Sequence, residues 1–191
     1  MELNKTLHYL SGESFYEFRS LNEQDVTVSY IDGLREQTKY LKNVPSLINM
    51  ESQKEHIRNI LLNKTDVICG LFMNGELVGT AGIQYSLSEI FVQSFQKQID
   101  GLATIGIFVF SKKHRGVGLG KSLVWASVML LHSCCETRWF GAEMEKENTP
   151  SLNSFLSCGF DRVYSDHKKY KVLLEISNIV KPNICRNYKV E

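Results

Sequence analysis

The chain has 191 residues, 43% of them hydrophobic, and a formal net charge of +1. That length and composition suit one globular domain with a real core. The balanced charge excludes a global field that would draw the protein to nucleic acid or to an anionic membrane.

Five cysteines, Cys69, Cys134, Cys135, Cys158 and Cys185, form no CxxC or other metal spacing. They read as reduced thiols, so no metal and a cytoplasmic location are expected. No apolar run approaches the length of a membrane span, and Met1-Glu2-Leu3-Asn4-Lys5 carries no apolar signal core.

Residues 1–14 read as a loose N-terminal arm, 15–176 as a single domain and 177–191 as a C-terminal tail. Residues 15–21 alternate Phe15, Glu17 and Arg19 with Tyr16, Phe18 and Ser20, the pattern of a first strand. Asn22 and Asp25 offer helix-start chemistry before Val26, Tyr30, Ile31 and Leu34. Residues 41–50 look irregular, and 52–62 read as a second helix with Ile57, Ile60 and Leu61 on its apolar face. Asn74-Gly75 between two apolar runs, 67–73 and 77–86, signals a hairpin. Residues 87–100 read as a surface excursion. A strand is expected over 102–109, a helix buried against a sheet over 119–131, and a strand over 139–144. Thr149 or Pro150 opens a further helix that Gly159 stops, and two strands, 161–164 and 170–175, close the domain. Residues 172–176 fit either the edge strand of a homodimer or a buried strand. The order β-α-α-β-β-β-α-β-α-β-β is that of a mixed α/β layer fold.

The most informative stretch is Arg115-Gly116-Val117-Gly118-Leu119-Gly120-Lys121-Ser122, between a strand-like and a helix-like run. Glycines at such a junction let backbone N–H groups converge on an anion, and the helix dipole adds a positive end. A Walker A loop would need glycine at position 115, which is Arg115. A dinucleotide loop would need G-x-G-x-x-G, whereas Gly116, Gly118 and Gly120 are evenly spaced. The pattern [RQ]-x-x-G-x-[GA] fits Arg115, Gly118 and Gly120. Lys112, Lys113, Arg115 and Lys121 make a basic stretch around the loop, suited to a multiply charged ligand or to a solvated surface.

That pattern resembles the acetyl-CoA-binding motif of the GCN5-related N-acetyltransferase superfamily. A second motif of that superfamily, N-x-x-[AS]-x-x-x-[YF]-x-x-x-G-F, is met by Asn148, Ser151, Phe155, Gly159 and Phe160. The two motifs stand in the family's order, and the resemblance spans residues 15–175. It implies an α/β (α+β) fold with a mixed, mostly antiparallel central sheet of about six to seven strands flanked by helices. It also implies acetyl-CoA as acyl donor and direct transfer of the acetyl group to a primary amine. The acceptor is expected to be an amino-sugar nucleotide or another small amine. A protein N-terminus is the alternative; Glu147, Asn148 and Ser151 resemble the branch that includes both ribosomal-protein N-terminal acetyltransferases and nucleotide-sugar amine acetyltransferases. A catalytically weak acyl-CoA-binding regulatory module is a further alternative.

By the same resemblance, the backbone of Arg115, Gly116, Val117, Gly118, Leu119 and Gly120, with Lys121 beside it, would cradle the CoA pyrophosphate. The backbone groups of Ile107 and Val109 would pair with the pantetheine amides as an added strand. The N–H of Phe108 or Val109 would face the developing oxyanion. Asn148 would reach the pantetheine, or else cap the helix that follows it. Phe155, expected beside the cofactor, stands where many relatives have a tyrosine that protonates the departing thiolate, and it has no proton to give. Thr104 stands where relatives often carry a glutamate, and it can only orient a water. Glu143 is the leading candidate for a base, with Glu145, Tyr16 and Tyr85 behind it, and a plain surface role is the competing reading of each glutamate. His114 is expected to pack over the cofactor.

Overall fold

The structure is a computed structural model and describes residues 3–35, 48–86, 90–92, 97–99, 101–110 and 114–191. Strand β1 (Leu7–Ser11) and strand β2 (Ser14–Ser20) form a hairpin at one side of the main sheet. A 3-10 turn (Glu23–Asp25) follows, closed by a capping box in which Asn22 and Asp25 each accept from the other's backbone N–H. Helix α1 (Val28–Arg35) and helix α2 (Met50–Leu62) come next. Asn49 and Ser52 form the capping box that starts α2.

Strands β3 (Asp66–Met73) and β4 (Glu76–Ser86) are joined by Asn74-Gly75, with φ of 50° and 85°. Two positive φ angles are what the right-handed twist of a tight hairpin demands, and Asn-Gly tolerates them. Two short strands, β5 (Ile90–Val92) and β6 (Lys97–Ile99), pair with each other within the expected excursion. Then come β7 (Leu102–Val109), α3 (Leu119–Cys135), β8 (Trp139–Glu145), α4 (Thr149–Leu156), β9 (Asp161–Ser165), β10 (Lys169–Glu175), a 3-10 turn (Ile176–Asn178) and β11 (Arg186–Val190).

The main sheet has nine strands in the order β11-β1-β2-β3-β4-β7-β8-β10-β9. Only the β7–β8 pair is parallel; the other seven junctions are antiparallel. The fold class is the mixed, mostly antiparallel α/β sheet that the sequence implies, with more strands than expected. The difference lies at one edge. The arm expected over residues 1–14 contains β1, with Leu7 and Tyr9 buried, and the tail expected over 177–191 contains β11. β10 is an interior strand, bonded to β8 and β9, so the reading of 172–176 as a sheet edge is corrected in favour of the buried one.

The larger core cluster gathers α3 and α4 against one face of the sheet, with Trp125, Leu123, Val128, Ile105, Phe140 and Phe155 among its members. Helix α3 is buried on several sides, which is why its apolar residues follow no single stripe. The second cluster packs α1 and α2 on the opposite face, where Tyr30 and Ile31 meet Phe72, Leu77 and Phe110. Among the described residues, no helix is long and apolar enough to cross a membrane.

Candidate active site

β7 and β8 run together for only part of their length. The parallel register covers Leu102↔Trp139, Ala103↔Phe140 and Thr104↔Gly141. Beyond it β7 continues to Val109, held on its other side by β4 through Gly79↔Val109. β8 continues to Glu145, held by β10 through Lys169↔Glu145. The two strands therefore part after Thr104. The stretch of β7 so released contains Ile107, Phe108 and Val109, the three backbone positions the sequence singles out.

The glycine loop lies at the far end of β7 and opens α3. Gly116 and Gly118 have φ of 76° and 96°, conformations that cost a non-glycine residue energy. Gly118 is the N-cap of α3, and no side chain caps that end of the helix. The first amides of α3 have no partner within the helix, and the dipole there is positive. An uncapped helix start behind two left-handed glycines fits the pyrophosphate of coenzyme A. Arg115 and Lys121 are exposed beside it. Lys112 and Lys113 lie outside the described residues.

The glycines are needed for different reasons. A Cβ on Gly120 would sit 2.7 Å from Ser154 Oγ, so this glycine brings α3 against α4. Gly118 is fixed by its backbone angle, and a Cβ there would only touch Ile184, at 3.6 Å. Leu119 is 1% exposed and faces the core, so only its backbone is available to a ligand, whereas Val117 is 58% exposed.

Asn148 accepts from the Ser151 N–H at 3.3 Å and is the N-cap of α4, with Pro150 in the first turn. The capping role is thus filled, in the turn between β8 and α4, where Asn148 N–H donates to Glu145 O at 3.0 Å. Phe155 is 1% exposed, its ring edge-on to Phe160 at 5.0 Å. In this packing the ring serves the core. Gly159 has φ of 93°, and a Cβ there would fall 2.2 Å from Asn178 O, so the Gly-Phe pair serves packing.

Thr104 and Gly106 are exposed on the face of β7 that also carries Phe108 and Phe110, the face covered further along by Tyr30 of α1. Glu143 is exposed on β8 and engaged by two lysines of β10, at 2.5 Å from Lys169 and 3.5 Å from Lys171. The structure does not bring Glu143 and Thr104 together as a bonded pair; Thr104 stands opposite Gly141, two residues before Glu143. Tyr16 is buried, stacked on Tyr9 at 4.7 Å, with its hydroxyl donating to Met73 Sδ at 3.2 Å, which removes it from the list of bases. Tyr85 is half-buried on β4, and His114 is half-buried at the start of the loop. Among the described residues no group of three metal-ligating side chains occurs. A separate cavity of about 540 Å³ lies between β2, β3 and the start of α1, lined by Phe15, Arg19, Asp25, Phe72 and Glu76, and shares no residue with the loop.

A mixed sheet opened between two parallel strands, beside a glycine turn and a helix start, defines the acetyltransferase type of α/β fold. Solved structures agree. RimJ of Mycobacterium smegmatis, in complex with CoA-disulfide, is 14% identical, with a TM-score of 0.68 over 92% of this chain and 90% of that one. Aminoglycoside acetyltransferase AAC(6')-Ib, in complex with coenzyme A, is 19% identical, with a TM-score of 0.64 over 84% of this chain and 94% of that one. Spermidine N-acetyltransferase of Vibrio cholerae, in complex with CoA and spermine, is 12% identical, with a TM-score of 0.65 over 85% of this chain and 96% of that one. At these identities the likeness establishes the fold. No curated protein matches the sequence significantly. The model of the acetyltransferase (GNAT) family matches residues 34–160, most of the chain, and the protein belongs to that family.

Proposed function

We propose that the protein is an acetyl-CoA-dependent N-acetyltransferase acting on a primary amine. The observation that carries this reading is the parting of β7 from β8 after Thr104, with the Gly118 turn at its far end. An extended ligand entering there can bond to the released edge of β7 at Ile107 and Val109 while its phosphates rest on the amides of residues 115–120. Arg115 and Lys121 add charge for the phosphates. Asn148, beside its capping of α4, is proposed to reach the pantetheine.

In the transfer step the neutral amine nitrogen attacks the thioester carbon. The new C–N bond forms as the C–S bond breaks, and the sulfur leaves as a thiolate. The N–H of Phe108 or Val109 is proposed to receive the oxyanion, Val109 first, because Phe110 N–H donates to Val78 O of β4 and strand alternation turns Phe108 N–H the same way. The proton lost by the amine needs an acceptor. Glu143 and Thr104 are proposed for this, Thr104 by orienting a water and Glu143 by taking the proton, which requires it to loosen its hold on Lys169. Phe155 offers no proton to the thiolate, but a thiolate leaves tolerably near neutral pH.

An amino-sugar nucleotide or another small amine is the acceptor proposed first, because a net charge of +1 provides no strong field for an acidic protein partner. A protein N-terminus is the alternative acceptor; the structural neighbours include enzymes whose names give an aminoglycoside, a polyamine and a ribosomal protein. One specific observation favours a second reading, a CoA-binding module without turnover: Phe155 is sealed in the core and Thr104 replaces a carboxylate. Release of CoA thiol, followed with a panel of amino sugars, aminoglycosides, polyamines and N-terminal peptides, separates them. Turnover above the hydrolysis background with at least one amine is expected. Binding of acetyl-CoA with no turnover on any amine would favour the module.

A further inference from the structure

The chain does not leave the molecule after β10. Val180 N–H donates to Cys158 O at 3.0 Å, and Asn178 O lies against Gly159, so the segment is first fastened to the end of α4. It turns at Pro182, whose carbonyl accepts from Cys185 N–H at 2.9 Å. Ile184 then backs the Gly118 turn, its Cδ1 3.6 Å from where a Cβ on Gly118 would be. Cys185 is fully buried, and its thiol donates to Ser122 Oγ at 3.6 Å. The Ser122 hydroxyl donates in turn to Gly118 O at 3.3 Å, beside the Ser122 N–H that donates to the same carbonyl at 3.0 Å. Beyond this point β11 pairs with β1, and Tyr188 meets Trp125 of α3 edge-on at 5.0 Å. Glu191 and Thr6 exchange backbone bonds of 2.8 and 2.9 Å. The segment is thus anchored at both ends and passes directly behind the loop.

We propose that the segment from Val180 to Cys185 is a clasp that holds the 115–120 loop in its ligand-binding shape, with Ile184 as the positioning residue. Glycines lose more conformational freedom on ordering than any other residue. A loop with three of them binds a ligand weakly unless something else orders it first. Ile184 from behind and the Cys185–Ser122–Gly118 chain from the side supply that order. Ile184 itself touches no ligand. The ligand part of this inference rests on the function proposed above; the ordering part does not.

The test uses the full chain and two readouts, amide exchange at Ser122 in the ligand-free protein and CoA affinity by calorimetry. Ile184→Ala is expected to raise exchange at Ser122 by about tenfold and the CoA Kd by a similar factor. The kcat at saturating acetyl-CoA should stay unchanged. Ile184→Val should bring both readouts back to within about threefold of the wild type. Val190→Ala, beyond the clasp on β11 and paired with Leu7, should lower the melting temperature comparably and leave both readouts alone. Unchanged exchange at Ser122 in Ile184→Ala, or an equal rise in Val190→Ala, overturns the clasp. If the wild-type chain binds no CoA, the reading of the loop has failed, and the exchange arm by itself still decides the clasp.

Discussion

At the scale of single residues, the loop and the motif after it divide into positions proposed to serve a ligand and positions that serve the fold. Gly118 has a backbone angle that favours glycine and open surroundings, with only Ile184 in reach. Phe155 looks equivalent in the motif but is sealed between the helix and the sheet, 1% exposed. Phe155→Ala should therefore act on stability first. Removing a buried ring of this size costs about 3–5 kcal/mol through lost burial and the cavity left behind. A melting temperature close to that of the wild type would show that the site collapses around the gap. This distinction was not legible in the sequence. The spacing from Asn148 to Phe160 identifies a family position, but whether a ring there faces a ligand or a core depends on packing between distant segments. Asn148 shows the opposite case: both readings were visible, and the structure fills the local one, the cap on Ser151 N–H. Glu143 was legible as a carboxylate on an alternating strand, yet its two lysine partners come from β10 and could be placed only by the cross-strand register.

At the scale of elements, the site is made by where pairing stops. β7 and β8 are each long enough to pair further, but each is claimed by an antiparallel neighbour, β4 and β10, and they diverge after Thr104. The helix that follows is set by close contact. Gly120 lets α3 approach α4 so nearly that a methyl group would meet Ser154 Oγ at 2.7 Å. Gly120→Ala should lower stability, and adding Ser154→Ala, which removes that oxygen, should recover part of the loss. A coupling of about 1 kcal/mol is expected from a double-mutant cycle in denaturant unfolding. Strict additivity would mean that the two helices do not meet there. The strands and helices with a strong period were legible in the sequence, and β7 matches its expected bounds, residues 102–109. The two outermost strands at one side of the sheet were not. β11 reads Arg-Asn-Tyr-Lys-Val and is exposed over nearly its whole length, so it shows no apolar alternation to detect. β1 does alternate, with Leu7 and Tyr9 inward, but five residues between polar flanks gave little to set against an ordinary terminal arm.

At the scale of the whole molecule, the nine strands place the opening near the middle of the sheet, with α3 and α4 on one face and α1 and α2 on the other. Both termini are drawn together at β1 and β11, far along the sheet from β8, yet the C-terminal segment reaches that edge by way of the loop. The thiols fit a structural role. Cys69, Cys158 and Cys185 are buried, and burial holds the first two near pKa 12 and the third near 11, so they stay protonated and unreactive around neutral pH. The glycine loop remains the feature on which the functional account turns, and one titration tests it directly. CoA is titrated calorimetrically into the wild-type chain and into Gly118→Asp, which puts a side chain against Ile184, strains the φ of 96° and adds a negative charge to the turn proposed to cradle the pyrophosphate. The account predicts that the wild type binds, that the variant keeps its fold by circular dichroism, and that its affinity falls at least about tenfold, or 1.4 kcal/mol. Equal affinity for the two chains would contradict it.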